Sequence, residues 1–169
     1  MMNAASQSRR SRIVLIVGVD LDDTSEHLLR TVKELTRGVD EAEVHVVHVV
    51  PAETLNERLS EPILSPWHAE QDRSRVARWQ IEQLCRAMDA GAGAHVVVHT
   101  PTGQPVEELA RLARRFGADA IIVEAHEGRP ADRRPFHKSV AAGLAQSAPC
   151  SVLTVRAHHP TAAPDAAAR

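Results

Sequence analysis

The sequence predicts an α/β domain built on a parallel sheet with helices on both faces. Three observations predict it. Near-continuous β-branched runs recur along the chain: "RIVLIVGVD", "EVHVVHVVP", "AHVVVHT", "ADAIIVEA" and "CSVLTVR". Strands apolar at successive positions, rather than alternate ones, are covered on both faces. Between them lie segments with helical apolar spacing, and strand–helix alternation is the mark of parallel βαβ units. Aromatics are 2% of the chain and Tyr is absent, so Val, Leu, Ile and Ala must supply the core.

Each element follows from its own residues. "RIVLIVGVD" forms the first strand, and "DDTSEHLLRTVKELTRG" the first helix. Thr24 or Ser25 can cap that helix, Leu28, Leu29, Val32 and Leu35 make its apolar stripe, and Gly38 ends it. "EVHVVHVVP" is the second strand, stopped by Pro51. Residues 52–66 read as a polar connection. "WHAEQDRSRVARWQIEQLCRAMDAG" is a helix expected to turn Val76, Trp79, Leu84 and Met88 inward, and "AHVVVHT" is the third strand. In "QPVEELARLARRFG", Pro105 starts the helix. Glu107 and Glu108 meet its positive end, and Arg114 and Arg115 its negative end. "ADAIIVEA", "SVAAGLAQSA" and "CSVLTVR" supply the fourth strand, a short helix and the fifth strand. The domain is expected over residues 13–156. Residues 1–12 and 157–169 are polar, small-residue tails without apolar period, and are expected to be disordered.

Composition narrows the function classes. The net charge is −2, so no global basic field calls for nucleic acid, and the shortage of aromatics removes stacking platforms. No apolar run is long enough to span a membrane, and "IVLIVGV" is too β-branched for a signal-peptide core. Cys85 and Cys150 lack CxxC spacing and are expected as buried thiols in a reducing, cytoplasmic compartment. GxSxG, HExxH and GxxxxGK[ST] do not occur. His45 and His48, three apart on a strand, point to opposite faces and do not make a metal pair. His126 has no neighbouring nucleophile, and no catalytic residue is assigned.

In an open parallel sheet, ligands sit beyond the carboxyl ends of strands where the strand order reverses. With the predicted order 3-2-1-4-5, that point falls between the first and fourth strands. "VDLDD" (19–23) and "EAHEG" (124–128) then face one crevice. Asp20 there could accept hydrogen bonds from a ribose or an adenine amine, or serve only the start of the first helix.

Several of these segments, taken in order, resemble the universal stress protein family: "VGVD" closing the first strand, "VHVVHVV", "GQPVEELARLARRFGADAIIV" and the closing "SVAAGLAQSAPCSVLTVR". The resemblance spans residues 12–156. It implies a Rossmann-like fold and a homodimer paired through the last strand, Ser151, Val152, Leu153, Thr154 and Val155. Exposed strand edges invite such pairing. It also implies a role in stress response rather than a defined catalytic activity. Many members bind ATP through a G-x2-G-x9-G-[ST] loop after the fourth strand, and others lack the loop and do not bind nucleotide.

Carried onto this chain, the motif falls on Ala125, Gly128, Lys138 and Ser139, followed by Val140, with Val49 at an adenine-contacting position. Only Gly128 keeps a glycine. A register slipped by one residue would put Glu124 and Glu127 in the first two positions, which suits phosphate less. Glycines there permit left-handed backbone and close approach to oxyanions. Lys138 either replaces a backbone contact to phosphate or blocks it. Arg129, Arg133, Arg134 and His137 make the loop attractive to anions, while Glu124, Glu127 and Asp132 could balance them as an ordinary solvated turn. The expected function is a homodimeric stress-response module with a degenerate nucleotide site, probed by ATP as the candidate ligand. The alternatives are true ATP binding through Lys138 and the loop arginines, and weak nucleotide hydrolysis.

Overall fold

In a computed structural model of the chain, residues 12–21, 25–51, 66–87, 94–125 and 140–156 are described. Strand β1 (Arg12–Gly18) is central. It pairs in parallel with β2 (Glu41–Val47) on one side and with β6 (Ala120–Ala125) on the other. β4 (Ala94–His99) flanks β2, and β7 (Ser151–Arg156) flanks β6, so the sheet runs β4-β2-β1-β6-β7. This is the predicted 3-2-1-4-5 order, counted over the five long strands. A separate two-stranded ribbon pairs β3 (Val50–Pro51) with β5 (Thr102–Gly103).

Alternation along β1 divides the core between the two faces of the sheet. Leu15 and Val17 join Leu28, Leu29 and Val32 of α1 (Ser25–Thr36) and Ile81 of α2 (Pro66–Ala87). Ile16 joins Leu109, Leu112 and Ala113 of α3 (Pro105–Phe116) and Leu144 of α4 (Val140–Ser147). Helices therefore cover both faces, and the fully apolar strand runs reflect that double burial.

Local chemistry sets the helix ends. α3 begins at Pro105, whose missing N–H would be unsatisfied in the first turn anyway, and the Glu108 N–H donates to the Gln104 carbonyl at 3.0 Å. It stops at Gly117, which adopts the left-handed conformation (φ 62°) and donates its N–H to Ala113. α4 lies against α3 through Gly143, where a Cβ would stand 2.8 Å from Val106 Cγ2. The carboxylate of Asp119 extends the β1–β6 ladder: Val14 N–H donates to Asp119 Oδ2 at 2.8 Å, and Asp119 N–H donates to the Val14 carbonyl at 2.9 Å.

Four expectations change. Leu35 is 48% exposed and leaves the α1 stripe, which is closed by Leu28, Leu29 and Val32. On α2, Val76 and Trp79 face outward at 53% and 61% exposure, while Ala77 and Ile81 are buried and Leu84 is half-buried. The helical period explains it: Ala77, Ile81, Leu84 and Cys85 share one stripe, and positions 76 and 79 project from the opposite side. The run 43–51 is not one strand. β2 begins earlier, at Glu41, and breaks at His48 and Val49 before β3, so Pro51 pairs with Gly103 rather than stopping the strand. Cys85 and Cys150 are free but only half-buried, and burial pushes both thiols above their ordinary value. Met88, the connection 52–65 and both tails lie outside the described residues.

Candidate functional site

The strand order reverses between β1 and β6, and their register sets Gly18 opposite Val123. Val19 and Asp20 thus leave β1 beside Glu124 and Ala125, which end β6. Gly18 allows this junction. A Cβ there would lie 3.1 Å from both Leu109 Cδ1 and Val123 Cγ1, so a larger residue would push α3 away from the strand end.

Two hydrogen bonds fix the floor of the crevice. The Val19 N–H donates to the Val47 carbonyl at 2.9 Å, and His48 Nδ1–H donates to the Val19 carbonyl, also at 2.9 Å. A carbonyl only accepts, so that bond places the His48 proton on Nδ1. Beyond Val19 the carboxylate-bearing Asp20 is exposed, and Leu21 takes a positive φ of 60°. A side chain in the left-handed region costs about 1–2 kcal/mol. The chain thus turns sharply just after Asp20, and surrounding contacts hold it there. Leu21 packs against the α1–α2 core. Val49 is buried between β2 and β3 and belongs to the α3–α4 core.

The structure therefore brings Asp20 and Ala125 to the carboxyl ends of neighbouring strands, with Val49 beyond the end of the next strand, β2. Val140 opens α4 and packs against the α3–α4 core. Gly128, Arg129, Arg133, Arg134, His137, Lys138 and Ser139 lie outside the described residues. Of the edge residues, Ser151, Leu153 and Thr154 are exposed on β7 and Val152 is half-buried, whereas Val155 turns into the core.

Sequence reading missed two histidine roles. His48 serves the crevice floor. His45 is buried, 1% exposed, and its Nδ1 lies 2.9 Å from His99 Nε2. Its ring stacks on Phe116, with centroids 3.9 Å apart. Its Nε2 sits 3.1 Å from Glu43 Oε1, close enough for ion pairing but without hydrogen-bond alignment. The hydrogen bond from Arg12 lowers the Glu43 carboxyl below its ordinary value. Burial lowers the pKa of both His45 and His99 below the ordinary 6.5, favouring neutral rings. The missing signal was register. His45 pairs with Val97, so His99 lies one same-face step along the neighbouring strand. Among the described residues no group of three or more His, Cys, Asp or Glu side chains could hold a metal ion, and no helix is long and apolar enough to cross a membrane.

Taken together, these elements define the class: a doubly wound α/β domain whose strand order reverses between β1 and β6. The chain belongs to the universal stress protein family, whose model matches residues 13–156. Universal stress protein UspA from Lactobacillus plantarum has the same fold. Its TM-score is 0.66 at 18% identity, covering 86% of this chain and 99% of that one. A universal stress protein in complex with cAMP gives a TM-score of 0.62 at 18% identity over 87% of this chain and 98% of that one. The universal stress protein from Archaeoglobus fulgidus in complex with dAMP gives 0.51 at 20% identity over 84% and 96%. At these identities the likeness is one of fold.

Proposed function

We propose that this protein is a non-catalytic, homodimeric stress-response module of the cytoplasm whose crevice binds the adenosine part of a nucleotide and gives little hold on a polyphosphate. The observation that carries this reading is the convergence of Asp20 and Ala125 at the switch point, near Val49. Asp20 accepts hydrogen bonds from ribose or the adenine amine, and Val49 offers apolar contact at the second strand. The nucleotides held by two of the similar structures, cAMP and dAMP, each carry one phosphate, which fits a ligand recognised through its nucleoside. Only Gly128 and Ser139 keep the expected character of the phosphate loop. The functional unit is residues 13–156, the span the family model matches. Dimerisation runs through β7, which ends the sheet and exposes Ser151, Leu153 and Thr154. The free thiols of Cys85 and Cys150 suit a reducing compartment.

Calorimetry with AMP and ATP tests the reading. Both should bind within about threefold of each other, and Asp20→Ala should weaken both about tenfold, the worth of one hydrogen bond to a charged group. Absence of AMP binding at millimolar concentration would refute it. The cationic loop residues Arg129, Arg133, Arg134, His137 and Lys138 favour a second reading, in which ATP binds through its phosphates. ATP binding a hundredfold tighter than AMP, lost in Lys138→Ala, would establish that one instead. Light scattering checks the dimer: Leu153→Arg, a charge placed on the exposed edge, should shift the mass to a monomer.

A further inference from the structure

The His45–His99 pair lies on the α3 side of the sheet and outside the adenosine crevice, and neither ring serves the proposed function. Its geometry admits one proton between the rings. Nδ1 of His45 and Nε2 of His99 are 2.9 Å apart, a hydrogen-bond distance with room for a single hydrogen. Glu43 Oε1, 3.1 Å from His45 Nε2, favours a proton on that nitrogen. Nδ1 then accepts and His99 Nε2–H donates. A first added proton can be met by a tautomer change, with one hydrogen still in the gap. Once both rings are imidazolium, both facing nitrogens carry hydrogens, and the rings must part. The two rings therefore titrate as a pair.

The surroundings oppose that doubly charged state. Phe116 covers His45 by stacking. Arg111 and Arg115 from α3, and Arg78 from α2, add positive charge near His99. His95 on β4 acts in the same sense on His45, and among the described residues Glu43 on β2 favours a charged ring. Both pKa values are lowered in the fold from the ordinary 6.5, so the unfolded chain binds more protons than the native one below that value. The stability contributed by the neutral pair is complete above pH 6.5 and is lost as the pH falls through that value towards the lowered native pKa values.

The pair also sits where opening has the greatest reach. His99 is the last residue of β4. Just past it, the His48 N–H donates to the His99 carbonyl at 3.0 Å, and the Val50 N–H donates to the Pro101 carbonyl at 2.9 Å. The β3–β5 ribbon, two pairs long, begins at once. We propose that His45 and His99 form an acid-responsive latch: when both rings are protonated their contact opens, and the C-terminal end of β4, with β5 beyond it, separates from β2 and β3.

Amide hydrogen exchange on the full-length chain tests this, together with nitrogen NMR of the imidazole rings. Between about pH 7.5 and pH 5, the His48 and Val50 amides should lose about tenfold in protection after correction for intrinsic exchange. Ile16 and Ile122, in the centre of the sheet, should keep theirs. The ring signals of His45 and His99 should change together and only below the midpoint of a histidine peptide. In His45→Leu/His99→Leu the selective loss should vanish. An unchanged loss in that double variant overturns the latch. If the double variant does not fold, the wild-type rings decide: both becoming charged while His48 and Val50 stay protected overturns it equally.

Discussion

The face that α2 turns to the core is open to a direct test with Ile81→Ala and Trp79→Ala. Ile81 is fully buried among Leu28, Val44 and Val46, whereas Trp79 is 61% exposed. Truncating Ile81 removes three carbons at about 0.8 kcal/mol each, and the cavity left behind adds to the loss. The expected destabilisation is about 3 kcal/mol. Truncating an outward-facing side chain is expected to cost about 0.5 kcal/mol or less. Urea unfolding followed by circular dichroism at pH 7.5 measures both, without relying on the tryptophan that one variant removes. At unchanged slope, the Ile81→Ala midpoint should fall by about 1–2 M. Trp79→Ala costing as much as Ile81→Ala would refute the assigned face, and with it the rejection of Val76 and Trp79 as core residues.

Two further substitutions probe the seams between elements. Asp119→Ala removes the side-chain acceptor that Val14 uses and should cost about 1–2 kcal/mol, while Asp119→Asn, which keeps an oxygen there, should cost under about 0.5 kcal/mol; thermal unfolding of the two variants side by side checks this. Gly143→Ala sets a methyl 2.8 Å from Val106 Cγ2. The overpacking should exceed the roughly 1 kcal/mol that alanine gains over glycine in a helix, and a double-mutant cycle with Val106→Ala should return a favourable coupling of about 1 kcal/mol.

The long strands were legible because each announces itself by a run of mostly β-branched residues, as in "IVLIV" of β1 and "AIIV" of β6, and their order followed from the doubly wound pattern that such alternation favours. The ends of α3 were legible for the same reason: Pro105 and Gly117 act through backbone chemistry that needs no tertiary partner. The inward face of α2 was not. Its true stripe passes through Ala77, a small residue that signals weakly, while Val76 and Trp79 signal strongly from the solvent side. Size and hydrophobicity outweighed phase in the reading, and phase decided the packing. At the site, Asp20 and Ala125 could be placed because strand order alone brings them together. The His48–Val19 bond and the His45–His99 pair could not. Both depend on strand register and on the break between β2 and β3, which no local pattern in "VHVVHVVP" marks.

The central position of β1 has a consequence for synthesis on the ribosome. One edge of β1 is covered by β2, which follows it closely in the chain. The other edge pairs with β6, Leu15 opposite Ala120 through Gly18 opposite Val123, and so waits for about a hundred further residues. At ordinary translation rates of about 5–20 residues per second, that edge stays uncovered for roughly 5–20 s. During that interval the nascent chain presents Leu15, Ile16 and Val17 with free ladder groups, the arrangement most prone to pairing with a neighbouring chain. The innermost strand of the finished sheet is thus its most vulnerable edge during synthesis, and the arrival of β6 removes the hazard.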